Sequence, residues 1–168
     1  MNPAPFELNQ NTWRHLFEVG EGLISRCNLA EQADYLKQEL NRLTGAQIEL
    51  WLLRRFEPLP FKTVENRESV GFPVRFDDEI TVDDEAESQN ETCVFYEVPL
   101  TVKSIALGKI RFTFKEEVTL DLQYRDFLRN AGRYIATILD TARLSAIKDW
   151  RHDQLSLVRD VSIEITRY

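Results

Sequence analysis

From Leu122 to the last residue the sequence holds no proline and a single glycine, Gly132. Proline and glycine are the residues that interrupt helices, so this stretch is free to form one long helix. Phe127, Ala131, Tyr134, Ile135, Ile138 and Ala142 return every three to four residues and make one broad apolar stripe. The stripe continues more thinly through Ala146, Trp150, Val158, Val161 and Ile165. An unbroken helix of about 44 residues is about 66 Å long at 1.5 Å rise per residue. A chain of 168 residues fits one domain with an appendage, and such a domain cannot cover that length. Roughly the last two dozen residues are therefore expected to project. A projecting amphipathic helix must bury its stripe on something, and a second copy is the simplest partner. Ile138, Ala142, Ala146, Trp150, Val158 and Val161 are the residues expected on that dimer face.

Two shorter helices come first. Asn11 or Thr12 is placed to cap the first, whose apolar positions are Trp13, Leu16, Phe17, Leu23, Ile24 and Cys27. Gly20 and Gly22 weaken its middle by about 1 kcal/mol each relative to alanine. Asn28, with Glu31 three residues on, opens the second in a variant of the capping box. Leu29, Ala33, Leu36, Leu40 and Leu43 step by four and three as a buried seam, and Gly45 supplies a left-handed cap.

Strands follow. Ala46 to Phe56 alternates, with Ile48, Leu50 and Leu52 on an apolar face and Glu49, Trp51, Leu53 and Arg55 on a mixed one. Val70 to Phe76 and Glu79 to Val82 are candidates for short strands. Cys93 to Val98 reads as a strand stopped by Pro99. Ile105 to Lys115 is another, with Ile110, Phe112 and Phe114 opposite Lys109, Arg111, Thr113 and Lys115.

Composition excludes whole classes. With 43% hydrophobic and 11% aromatic residues the chain is not disordered. A net charge of −7 argues against a nucleic-acid or anionic-membrane partner, which would select a basic face. The acidity is local, however. Residues 77–91 carry eight acids and no lysine or arginine and read as a mobile loop; the remainder has 20 acids against 21 bases. No run of about 18 apolar residues could span a membrane. The N-terminus lacks the basic and apolar regions of a secretory signal, so a cytoplasmic chain is expected. Cys27 and Cys93 read as small apolar fillers, and His15 and His152 stand alone at opposite ends. These side chains assemble no nucleophile, base and orienting group and no metal-ligand spacing. An enzyme is not expected, and no catalytic or metal-ligating residue is assigned.

Several segments together resemble a GAF domain, a small-molecule-sensing regulatory fold of signalling proteins. They are Val98-Pro99-Leu100, then Leu107-Gly108-Lys109-Ile110, Asp126-Phe127-Leu128, Ile135-Ala136 and Ala142-Arg143-Leu144. The resemblance implies an α+β sandwich. A central antiparallel sheet of about five to six strands would carry the N- and C-terminal helices on one face. Residues 1–11 would be a lead-in, 12–146 the domain, and 147–168 a signalling helix or the start of a second module. Trp13-Arg14-His15 does recur as Trp150-Arg151-His152.

The resemblance also implies a function. The chain would be a regulatory sensor that dimerises through its terminal helices and relays its state to an output domain. That output would be a histidine kinase, a nucleotide cyclase or a transcription factor. Arg55, Lys109 and Arg111 would contact a small anionic ligand, with Trp51 and Phe95 as pocket aromatics or else as core residues; otherwise that face is solvated, its cations facing residues 77–91 at long range. No cofactor is expected. Bilin-bearing relatives place a histidine beside the attaching cysteine, and none occurs here between Lys37 and Asp149, which also leaves haem without a ligand. The Asn-Lys-Phe…Asp-Glu signature of cyclic-nucleotide binders is not found between Glu57 and Cys93. The alternative function is a ligand-free dimerisation and spacer module.

Overall fold

The computed structural model describes residues 9–26, 29–53, 74–77, 86–90, 92–115 and 118–166. Arg55, Cys27, Asn28 and the expected strand residues 54–56, 70–73 and 79–82 lie outside them. Helix α1 is Gln10–Ile24, α2 is Leu29–Thr44 and α3 is Leu122–Thr166. The strands are β1, Gln47–Leu53; β2, Val74–Asp77; β3, Ala86–Gln89; β4, Cys93–Val102; and β5, Ile105–Lys115.

Helix α1 starts earlier than its sequence suggests, because Asn9, not Asn11 or Thr12, is the cap. The Asn9 side chain accepts from the Thr12 N–H at 3.1 Å, and the Asn9 N–H donates to Thr12 Oγ1 at 3.4 Å, closing a reciprocal capping box. The buried stripe also turns from the expected one. Thr12, Leu16, Val19, Gly20 and Leu23 point inward, whereas Phe17 and Ile24 are 56% and 70% exposed. The two glycines explain the rotation. A Cβ at Gly20 would overlap the Tyr134 phenol of α3, and one at Gly22 would overlap the Tyr35 phenol of α2. Both glycines therefore let α1 settle closely between its neighbours instead of merely weakening it.

Helix α2 follows its seam. Ala33, Leu36 and Leu40 are fully buried, with Leu29 and Leu43 packed at the margin. It ends at Gly45, whose φ of +72 is the left-handed conformation expected of the cap. The Gln32 amide, buried on α2, donates to the Leu23 carbonyl at 3.1 Å and satisfies an otherwise orphaned group near the end of α1.

The five strands form one sheet in the order β2-β1-β5-β4-β3. Four of them, β1, β5, β4 and β3, are antiparallel, as expected. The edge strand β2 is not: it runs parallel to β1, pairing Leu50 with Val74 and Leu52 with Phe76. A parallel neighbour needs a crossover of about a dozen residues or more, and residues 54–73 supply that length. Two further expectations are corrected. Part of the acidic stretch read as a loop is strand β3, paired antiparallel to β4 from Ala86↔Glu97 to Gln89↔Val94. Strand β4 also does not stop at Pro99 but runs on to Val102. Its pairing with β3 ends at Glu97, so Pro99 can turn its missing donor to that side of the strand without breaking a ladder bond.

One sheet face is the core. Leu50, Tyr96, Val98, Leu100, Ile110, Phe112 and Phe114 pack there with residues of α2 and α3, including Leu36, Leu40, Phe127, Leu128, Ala131 and Ile135. Each such large apolar side chain contributes about 1.5–3 kcal/mol by leaving water. Helix α3 spans 45 residues, as its lack of breakers implies. It is tightly packed as far as Leu139; from Lys148 to Ile165 every residue is exposed. Among the described residues no helix is long and apolar enough to cross a membrane.

Candidate functional site

Alternation along three adjacent strands puts a second set of side chains on the face away from the helices. Register arranges them in rows. Phe95, Thr113 and Gln47 form the first row across β4, β5 and β1; Glu97, Arg111 and Glu49 form the next; Pro99, Lys109 and Trp51 form the third. Arg111 is at the centre of this grid.

The charged members are paired with one another. Arg111 Nε donates to Glu97 Oε1 at 2.8 Å, and its Nη2 lies 2.7 Å from the same oxygen. Lys109 Nζ donates to Glu97 Oε2 at 3.0 Å. Arg111 Nη1 reaches Glu49 Oε2 at a longer 3.4 Å. The guanidinium also lies 5.5 Å from the Trp51 ring and 5.9 Å from the Phe95 ring, within cation–π range. Lys109 is 5.8 Å from Trp51. Burial raises the Glu97 pKa, but the hydrogen bonds and charges of Lys109 and Arg111 outweigh it and leave the carboxyl below its usual range.

Four of the five residues expected to contact a ligand, Trp51, Phe95, Lys109 and Arg111, are thus brought together; Arg55 lies outside the described residues. Among the described residues the cations meet Glu97 and Glu49 on neighbouring strands, so the strip neutralises itself; residues 78–85 and 91 of the acidic stretch lie outside the described residues. Sequence reading missed Glu97 because of a bulge. The hairpin pairs Val102 with Ile105 and Thr101 with Ala106, and continuing that register would oppose Glu97 with Ile110. An irregularity between Leu100 and Thr101 shifts the pairing by one and brings Glu97 opposite Arg111. The one sequence signal was the alternation itself, which places Glu97 on the same face as Phe95.

A separate open concavity of about 600 Å³, lined by Leu120, Asp121, Leu122, Gln123 and Arg125 at the start of α3, collects none of these residues. Among the described residues no three His, Cys, Asp or Glu side chains group as a metal site requires.

The residues expected on the dimer helix divide into two sets. Ile138 is 7% exposed and belongs to the domain's own core, so it is not on a free face. Ala142 is half-buried, and nothing is described of the Ala146 side chain. Trp150, Val158 and Val161 lie on the exposed part of α3 together with Leu155, Leu157 and Ile165.

No family model matches the chain, and no curated protein does so. Its structure is similar to that of the GAF domain from Acinetobacter phosphoenolpyruvate-protein phosphotransferase. The match has a TM-score of 0.57 at 11% identity and covers 82% of this chain and 98% of that domain. The fold is that of a GAF domain.

Proposed function

We propose that the chain is a regulatory sensor module of a cytoplasmic signalling protein, that it pairs with a second copy through the exposed part of α3, and that it relays its state along that helix to an output domain. The observation that carries this reading is the distribution of apolar residues beyond the core. At 100° per residue, Trp150, Leu157, Val158, Val161 and Ile165 fall within one arc about 100° wide, while Lys148, His152 and Arg159 lie on the opposite side, which also carries the exposed Leu155 and Ile163. An exposed apolar stripe on a helix that the domain does not cover is a face suited to a partner. Two packings of such a helix pair, biased by a ligand on the domain, are sufficient to carry a signal. Sedimentation equilibrium at high micromolar concentration tests the pairing: a dimer supports it, and a monomer overturns it.

The second reading, a ligand-free spacer, is favoured by one specific observation: Glu97 already satisfies both Lys109 and Arg111. A thermal-shift screen of nucleotides and small metabolites separates the two, since a specific and saturable stabilisation requires a ligand site.

A further inference from the structure

The Glu97 carboxylate lies between two cations of this sheet face. Lys109 and Arg111 are two residues apart on β5 and project from the same face, and one carboxylate bridges them, an oxygen to each. Three features keep that pair of cations in place without Glu97. Arg111 retains its contact with Glu49 at 3.4 Å. Its guanidinium stays beside the Trp51 and Phe95 rings at 5.5 and 5.9 Å. Lys109 keeps Trp51 at 5.8 Å. The Glu97 carboxylate, by contrast, is carried on a flexible side chain that is 21% exposed and can rotate away while β4 stays paired.

We propose that Lys109 and Arg111 form a seat for a small carboxylate or phosphate, and that Glu97 is its resident occupant, which an incoming anion must displace. The inference rests on the reading of this face as the sensor's ligand face and names the ligand's chemistry. A bare anion competes poorly, because its apparent affinity falls by the fraction of molecules in which Glu97 has left. A ligand with one anionic group on a planar or apolar body gains contact with Trp51 and Phe95 and can win that exchange. Ligand binding would then release a carboxylate on β4, the strand that α3 packs against.

The test is chemical rescue, read as melting temperature with sodium formate and inorganic phosphate, against sodium chloride at equal ionic strength. The wild-type chain should show no shift beyond that of chloride. Glu97→Ala should show a saturable rise of about 2–4 °C with an anion at about five times its dissociation constant, as a single site produces in a domain of this size. Glu97→Gln preserves side-chain volume and serves if the alanine variant does not fold; it should respond to phosphate where wild type does not. Adding Arg111→Leu to either variant should abolish the rise. Equal responses in wild type and both Glu97 variants would overturn the proposal, as would a rise that persists without Arg111. Sedimentation of the same samples reads the helix pairing separately, so a rescued seat on a monomeric chain would sink the sensor reading and leave the seat standing.

Discussion

The Tyr134 phenol of α3 fills the space that a side chain at Gly20 of α1 would occupy. Phe17, one turn earlier on α1, packs edge-on against the same Tyr134 ring with centroids 5.5 Å apart. The absence of a Cβ is what allows the two helices to meet here. Gly20→Ala should therefore destabilise the domain although alanine is the better helix former. Overpacking costs about 1–3 kcal/mol, and the propensity gain returns about 1 kcal/mol. Urea denaturation should show a lower midpoint with an unchanged slope. Combining Gly20→Ala with Tyr134→Leu should recover part of the loss, and a purely additive double variant would show that the phenol is not the obstacle.

Glu97 makes stability depend on pH. Its carboxyl is below the usual value of 4.5 in the folded chain because Lys109 and Arg111 hold the charged form, with Glu49 the further charge beside Arg111. A depressed carboxylate contributes its stability in full above the unfolded-state pKa and loses it as pH falls through the folded one. Wild type should therefore lose melting temperature on acidification from pH 5 more steeply than Glu97→Gln, while above pH 6 the offset between the two should stay constant. A constant offset through the acid range would mean that Glu97 is not held charged by this strip.

How much of this was legible in the sequence depended on how local each determinant is. The length of α3 could be read because it needs only the absence of breakers over a continuous stretch. The α2 seam and the apolar faces of β1 and β5 could be read because a single period governs each. The inward face of α1 could not, since Tyr134 and Tyr35, which select it, are distant in sequence and act by steric fit. The parallel edge strand β2 depends on a crossover, a property of topology and not of pattern. At the site, alternation placed Trp51, Phe95, Lys109 and Arg111 on one face. The pairing of Glu97 with Arg111 depended on a one-residue shift at Leu100 and Thr101 that no periodicity announces.

The hairpin between β4 and β5 turns through Lys103 and Ser104, both at positive φ, 48° and 66°. A two-residue hairpin loop of this hand is favoured because its twist matches that of the strands, and it is ordinarily built from Asn and Gly. A non-glycine residue in the left-handed region costs about 1–2 kcal/mol. Ser104→Gly should therefore stabilise the domain by up to about 1 kcal/mol, with Lys103→Asn adding a smaller gain. Thermal denaturation of a monomeric, low-concentration sample measures both. A destabilised Ser104→Gly would show that the serine makes a compensating contact.

The contrast between Ile138 and Val161 separates what α3 does for the domain from what it would do for the proposed partner. Both belong to the stripe that the sequence presents as continuous, yet Ile138 is 7% exposed and Val161 51%. Ile138→Ala removes buried methylenes from the core and should cost about 2–5 kcal/mol whatever the protein concentration. Val161→Ala at an exposed position should change the monomer's stability by no more than about 0.5 kcal/mol. If α3 pairs with a second copy as proposed, Val158→Glu with Val161→Glu places two acids in the seam and should shift the chain to monomer in sedimentation equilibrium. The melting temperature of the dilute monomer should be unaffected. The same double substitution lowering that monomer's melting temperature by several degrees would instead mean that the distal helix folds back on its own domain, and the pairing argument would fail.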